Sequence, residues 1–161
     1  MKFFLFIILT NFVFSAISFN PFEINNGERG IIALHTADLN NDSRIDILYT
    51  SINSNSIVWL ENQGSNSFYK RIISNKIKGS ISILPIDINQ DGFIDILTSS
   101  MYDNSISYYK NNGNGIFINE IISKEVNGPW SINAADLDND KDLDILSINE
   151  YDNNVIWFSN D

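Results

Sequence analysis

Three stretches of the chain carry closely spaced oxygen ligands. Asp38, Asn40, Asp42 and Asp46 hold positions 1, 3, 5 and 9 of the first, Asp87, Asn89, Asp91 and Asp95 those of the second, and Asp136, Asp138, Asp140 and Asp144 those of the third. The step is constant, 49 residues from 38 to 87 and again from 87 to 136. Carboxylates and carboxamides at this spacing can wrap a hard cation. Calcium takes about six to eight oxygens, and position 7 of such a loop usually contributes its backbone carbonyl. Those carbonyls belong to Arg44, Phe93 and Asp142, so the position 7 side chain is free to vary, and it does. The third loop, with four carboxylates and Asp142 adjacent, is expected to bind calcium most tightly; each of the others offers three carboxylates and one asparagine. Up to three calcium ions per chain are therefore expected.

An EF-hand is excluded because its loop needs a bidentate Glu at position 12 and a helix on either side. Position 12 is Tyr49, Thr98 or Ser147, and Ile-Leu after position 9 leads into residues rich in β-branched and hydroxyl side chains, which predict a strand. Asx turns alone would explain one such loop. Three in identical register favour cation binding.

Eleven of the 20 acidic residues lie inside these loops, so the formal charge of −10 is local. That pattern suits cation binding and argues against nucleic acid. With no cysteine, neither a disulfide scaffold nor thiol chemistry is available. The 161 residues suggest one domain, and 43% hydrophobic content supplies a core.

At the N-terminus Lys2 precedes Phe3-Phe4-Leu5-Phe6-Ile7-Ile8-Leu9, and a second apolar run ends in Ala16-Ile17-Ser18. A basic start, a short apolar run and a small-x-small end predict a secretory signal peptide over 1–18, cleaved after Ser18, and hence an extracellular protein. The alternative is an uncleaved anchor, but Thr10 and Asn11 interrupt the run short of the ~20 residues a span needs.

From Phe19 onward the chain falls into three rows of 49. Row one predicts strands over 31–37, 46–52, 56–60 and 68–73; row two over 80–86, 95–101, 105–110 and 117–122; row three over 130–135, 144–148 and 154–158. Trp59, Tyr108 and Trp157 align, as do Asn62, Asn111 and Asn160, and Phe68 and Phe117. Four antiparallel strands at a period of about 40–50 residues describe a β-propeller blade, so the expected fold is all-β, about three blades per chain. The aligned aromatics are expected to pack between blades; exposed, they would stack on a ligand.

The aspartate loop with its following Ile-Leu, and then Asn-Ser-Ile-x-Tyr-Tyr-Lys-Asn-Asn-Gly-Asn-Gly-x-Phe at 104–117, resembles the FG-GAP/VCBS repeats of integrin-α-like propellers. The resemblance covers nearly all of the chain after residue 18 and leans to the VCBS branch, because the Phe-Gly and Gly-Ala-Pro signatures are absent. It implies calcium in the loop between the first two strands of each blade. Position 6 is often Gly in that family; only Gly92 keeps it, while Ser43 and Lys141 depart, and a positive φ there would strain both.

Subtracting one repeat from Phe68 gives Phe19, so 19–24 takes the place of a fourth strand that row three lacks. Pro21 suits an edge strand. Rings typically need about four to eight blades. Two explanations stay open: a fragment of a longer propeller, or two chains forming six blades, each 19–24 strand completing its neighbour's last blade.

His35, the only histidine, has no second ligand for zinc or for a nucleophilic dyad and is expected to be partly buried on a strand. Asp103 and Asp152 align with Ser54 in a turn, and Gly113-Asn114-Gly115 precedes a strand, which makes it a hairpin and not a phosphate cradle. Asn41-Asp42-Ser43 matches a glycosylation sequon but lies inside a metal loop. The residues predict a secreted, calcium-binding, non-enzymatic protein, and the resemblance implies a binding or adhesion module with a protein or glycan partner. A lectin reading, to which Tyr108 or Tyr109 would contribute, and a fragment of a larger propeller-containing enzyme are the alternatives.

Overall fold

The computed structural model describes residues 17–24 and 27–160. The predicted signal peptide therefore lies almost wholly outside the described residues. Among those described, no helix is long and apolar enough to cross a membrane.

Among the described residues, eleven strands form three antiparallel sheets. The first holds β1 (Ile31–Ala37), β2 (Asp46–Ser51), β3 (Ser56–Gly64) and β4 (Ser67–Ser74) in that order. The second holds β5 (Ser80–Ile86), β6 (Asp95–Ser100), β7 (Ser105–Asn111) and β8 (Phe117–Ser123), and the third β9 (Pro129–Ala135), β10 (Asp144–Asn149) and β11 (Asn154–Phe158). These are propeller-type blades, as the 49-residue period requires. The repeat extends to irregularities. The first strand of each sheet is bulged at Ile32, Ile81 and Trp130, the residues omitted from the register against the second strand. Asn55, Asn104 and Asn153 all take positive φ in the turn after the second strand, where Asn tolerates the left-handed region.

Some boundaries differ from the expected ones. β3 runs through Gly64, which pairs with Ser67, so the hairpin closes in two residues, Ser65 and Asn66, with φ of 51° and 60°. Positive φ at both central positions fits the right-handed twist of the flanking strands, and no Gly is needed at either. Residues 17–24 form no strand and pair with none in this chain; the third sheet keeps three strands. His35 is exposed on β1, not partly buried.

The second strand of each sheet is flanked by strands on both edges, and β2 and β6, covered on both faces as well, are buried almost throughout. Their apolar halves feed two clusters between sheets. Leu48, Ile57 and Trp59 of the first sheet meet Ile83, Ile96 and Tyr109 of the second, and Leu97 and Ile106 of the second meet Ile132 and Ile145 of the third. Of their hydroxyls, that of Thr98 lies 2.7 Å from the Ser80 hydroxyl and donates to the Ser82 carbonyl at 2.9 Å, whereas those of Thr50, Ser99 and Ser100 are buried without a hydrogen-bond partner. Trp59 is buried and meets the Phe117 ring edge-on, with centroids 6.2 Å apart. Tyr108 is half-buried between the second and third sheets, whereas Trp157, on the outward face of the third, is exposed.

Candidate metal centre

Each aspartate loop joins the first two strands of its sheet, and its side chains first of all fold the loop. The position 1 carboxylate accepts from two backbone N–H groups: Asp38 from Asp42 and Ser43, Asp87 from Asp91 and Gly92, Asp136 from Asn139 and Lys141, at 2.7–3.1 Å. Position 3 (Asn40, Asn89, Asp138) accepts from the N–H of position 5, and position 5 (Asp42, Asp91, Asp140) from the N–H of position 7. These Asx-type bonds turn the backbone sharply. They also require positive φ at position 4 (Asn41, Gln90, Asn139) and position 6 (Ser43, Gly92, Lys141). Ser43 and Lys141 thus adopt the left-handed conformation without being glycine.

Position 9 was expected only as a ligand, and it has a second task. Asp46, Asp95 and Asp144 are fully buried. Asp46 accepts from Leu39 N–H at position 2 and from Asn62 N–H beyond β3, at 3.1 and 2.8 Å. Asp144 accepts likewise from Leu137 and Asn160, and Asp95 from Asn111 N–H and the Tyr108 hydroxyl. Position 9 therefore ties the loop to the end of the third strand while its remaining lone pairs stay available to a cation.

Burial pushes the Asp46 and Asp95 carboxyls above the usual range despite those N–H bonds. The Asn160 and Leu137 N–H groups outweigh desolvation at Asp144 and hold it below the usual range. Asp138 is raised by desolvation in the loop and by the Asp140 and Asp144 charges. Asp91 is partly desolvated, yet the Phe93 N–H, the Asn89 amide and the Lys110 ammonium hold it low.

Charge balance separates the loops. Asp42 pairs with the Arg44 guanidinium at 2.5 Å and accepts from the Asn40 amide; Asp91 lies 3.5 Å from Lys110 Nζ and accepts from the Asn89 amide. In the third loop an oxygen each of Asp136, Asp138 and Asp144 lie within 4.8 Å of one another, the one such convergence among the described residues. Three carboxylate oxygens at that spacing could hold a metal ion. The position 7 side chains also have partners outside their own loops: Arg44 donates to the Asn62 carbonyl, the Phe93 ring lies against Gly113, and Asp142 accepts from Gln90.

The model of the FG-GAP-like repeat matches residues 38–98 and 87–147. The chain belongs to the FG-GAP-like repeat family. Each match begins at position 1 of one loop and runs through the next loop into the following second strand, so the FG-GAP-like repeat unit is the loop-to-loop step measured in the sequence. No curated protein matches the chain.

Inter-blade contacts of these FG-GAP-like loops were not anticipated. The Asn41 side-chain amide donates to the Gly92 carbonyl, and the Gln90 amide to the Lys141 carbonyl, at 3.3 and 2.8 Å. Position 4 of one loop thus reaches position 6 of the next. Asn111, fully buried, donates to the Leu39 carbonyl in the preceding loop and to the Ile94 carbonyl in its own blade. The alignment of Asn62, Asn111 and Asn160 was the available signal, though it gave no hint of the partner.

Proposed function

We propose that this FG-GAP-like chain is a secreted, calcium-stabilised binding module whose ions set the loops of a non-enzymatic propeller surface for a protein or glycan partner. The observation that carries the calcium reading is the convergence of Asp136, Asp138 and Asp144. Positions 1, 3, 5 and 9 of each loop would hold the ion, with the carbonyls of Arg44, Phe93 and Asp142 as further ligands. A bound cation neutralises carboxylates that otherwise repel, and it fixes the chain between the first two strands. Secretion rests on the charge and apolar pattern of residues 1–18. The non-enzymatic reading rests on the carboxylate clusters being already assigned to the loops.

Calorimetric titration with calcium tests this directly. Substituting Asp136→Asn with Asp138→Asn is expected to remove the tightest binding event and to reduce the stoichiometry by one. Unchanged stoichiometry refutes the site, and no heat from the wild type refutes the calcium reading altogether.

One observation favours glycan among partners. A cavity of about 410 Å³ between the second and third sheets is lined by Tyr108, Asn89 and Asp142 together with Ile122 and Phe158, the mixture of one aromatic face and several polar groups that a sugar ring requires. Tyr109 is buried toward the first sheet and cannot contribute. A glycan array is expected to respond to Tyr108→Ala and not to a surface substitution on β8.

A further inference from the structure

Apart from the cavity beside Tyr108, a second one of about 530 Å³ lies between the end of β4 with its following loop and strands β7 and β8, inside the range of about 300–1,000 Å³ usual for ligand pockets. One wall is the face of the second sheet that turns Ile96 and Tyr109 to the first. Ser100 pairs with Ser105 and Thr98 with Ser107 across β6 and β7, and Asn119 pairs with Tyr109 across β7 and β8. Side chains alternate along a strand, so these polar groups share that face. At the place of Ser107 the other two sheets carry Val58 and Ile156. Two blades put an aliphatic side chain here, and the blade with the cavity puts a hydroxyl.

Ser100 lines the same cavity, is 1% exposed, and its hydroxyl has no hydrogen-bond partner. Its counterparts one repeat away are both satisfied within the chain. Ser51 donates to the Arg29 carbonyl at 2.7 Å, and Asn149 accepts from the Ser147 hydroxyl at 2.8 Å and donates to Asn154 at 2.9 Å. This position lacks a partner in the one blade where it borders the cavity. A buried hydroxyl left unpaired in the free protein is a group that a ligand can satisfy.

The charges around the cavity narrow the ligand. Lys76, in the loop after β4, and Lys124, just after β8, both line it, and neither forms an ion pair among the described residues. Asp103 lines it as well, one carboxylate oxygen accepting the Lys78 N–H at 2.7 Å. Phosphate or sulfate would use the lysines but meet repulsion from Asp103. A neutral sugar would use the hydroxyls, the amide and Asp103 but leave both lysines idle. A ring with several hydroxyls and one carboxylate engages all of them.

We propose that this cavity binds a uronic acid residue, its carboxylate on Lys76 and Lys124 and its hydroxyls on Ser100, Ser107, Asn119 and Asp103. The site shares no residue with the aspartate loops or with the cavity beside Tyr108, and it depends on neither reading.

Calorimetric titration of the full chain with sodium galacturonate, at fixed millimolar calcium, tests this. Galactose and acetate serve as the hydroxyl-only and carboxylate-only probes. Galacturonate is expected to bind once per chain, about tenfold or more tighter than either, because only it makes both sets of bonds. Ser100→Ala should weaken it roughly tenfold through one lost hydrogen bond, yet leave Tm unchanged or higher, since that hydroxyl is unpaired in the free protein. Lys76→Gln with Lys124→Gln, both on exposed side chains, should keep the wild-type circular dichroism and reduce galacturonate to the affinity of galactose. Tyr108→Ala should leave galacturonate binding unchanged. No galacturonate binding, equal affinity for acetate or galactose, or an affinity that neither the Ser100 nor the lysine substitutions alter overturns the proposal. Binding lost in Tyr108→Ala overturns it too, by moving the ligand to the other cavity.

Discussion

Position 6 of each loop shows how one residue type can set local stability. Ser43, Gly92 and Lys141 all sit at positive φ, 66°, 89° and 86°, a region that disfavours any side chain but glycine's by about 1 kcal/mol or more. Ser43→Gly and Lys141→Gly are each expected to stabilise the protein by roughly 1 kcal/mol in urea unfolding. Gly92→Ala should destabilise by a similar amount through the backbone alone, because a Cβ there meets nothing within 4 Å. Position 9 makes a sharper case, since three aspartates in the same hydrogen-bonding role differ in acidity. Carboxyl titration by NMR in chelator should find Asp46 and Asp95 above the ordinary value, where desolvation outweighs the N–H bonds, and Asp144 below it, where the Asn160 and Leu137 N–H bonds outweigh desolvation. The sign carries over to folding. The folded chain holds the Asp46 proton more tightly than the unfolded chain does, so stability is greatest with the group protonated and falls as pH rises from 3.8 through the raised value. In chelator the stability difference between wild type and Asp46→Asn should shift in that direction across the same window, and added calcium should reverse it.

At the scale of the element, equal residues in equal register carry unequal weight. Trp59→Ala removes a buried ring packed on Phe117 and is expected to cost about 3–5 kcal/mol. Trp157→Ala, at a concentration that keeps the chain monomeric, should cost about 1 kcal/mol or less. The asparagines divide in the same way. Asn111→Ala would leave the Leu39 carbonyl unpaired in the core and should cost about 1–3 kcal/mol, whereas the exposed Asn160 donates only to Leu143, at 3.3 Å. Denaturant midpoints of these variants check both comparisons. The strands themselves were legible because Ile-Leu after each loop and the 49-residue register fix their places, and all eleven lie where the rows put them, give or take a few residues. What could not be read was which aromatic is covered. Trp59 and Trp157 hold the same place in the repeat between apolar neighbours, and the presence of a following sheet tells them apart. The double duty of position 9 was hidden for a related reason: its N–H donors, such as Leu39 and Asn62, are backbone groups and leave no mark in composition.

For the molecule as a whole, the loops and the sheets act together. If calcium fills the loops at about tenfold over its dissociation constant, each site adds roughly 1.4 kcal/mol to the folded state. Three sites would then raise Tm on the order of 10 °C for a chain of this size. Melting in millimolar calcium and in chelator measures that difference, and equal Tm values would remove calcium from the account of stability. The one-neighbour packing of the sheets has a consequence that can be timed. The second blade leans on both others, but the first and third lean only on it, so opening should begin at the ends and travel inward. Deuterium should enter β10 and β11 early and β6 last. The repeats are near-copies of one another, so whatever separates their exchange rates measures the neighbour and not the sequence.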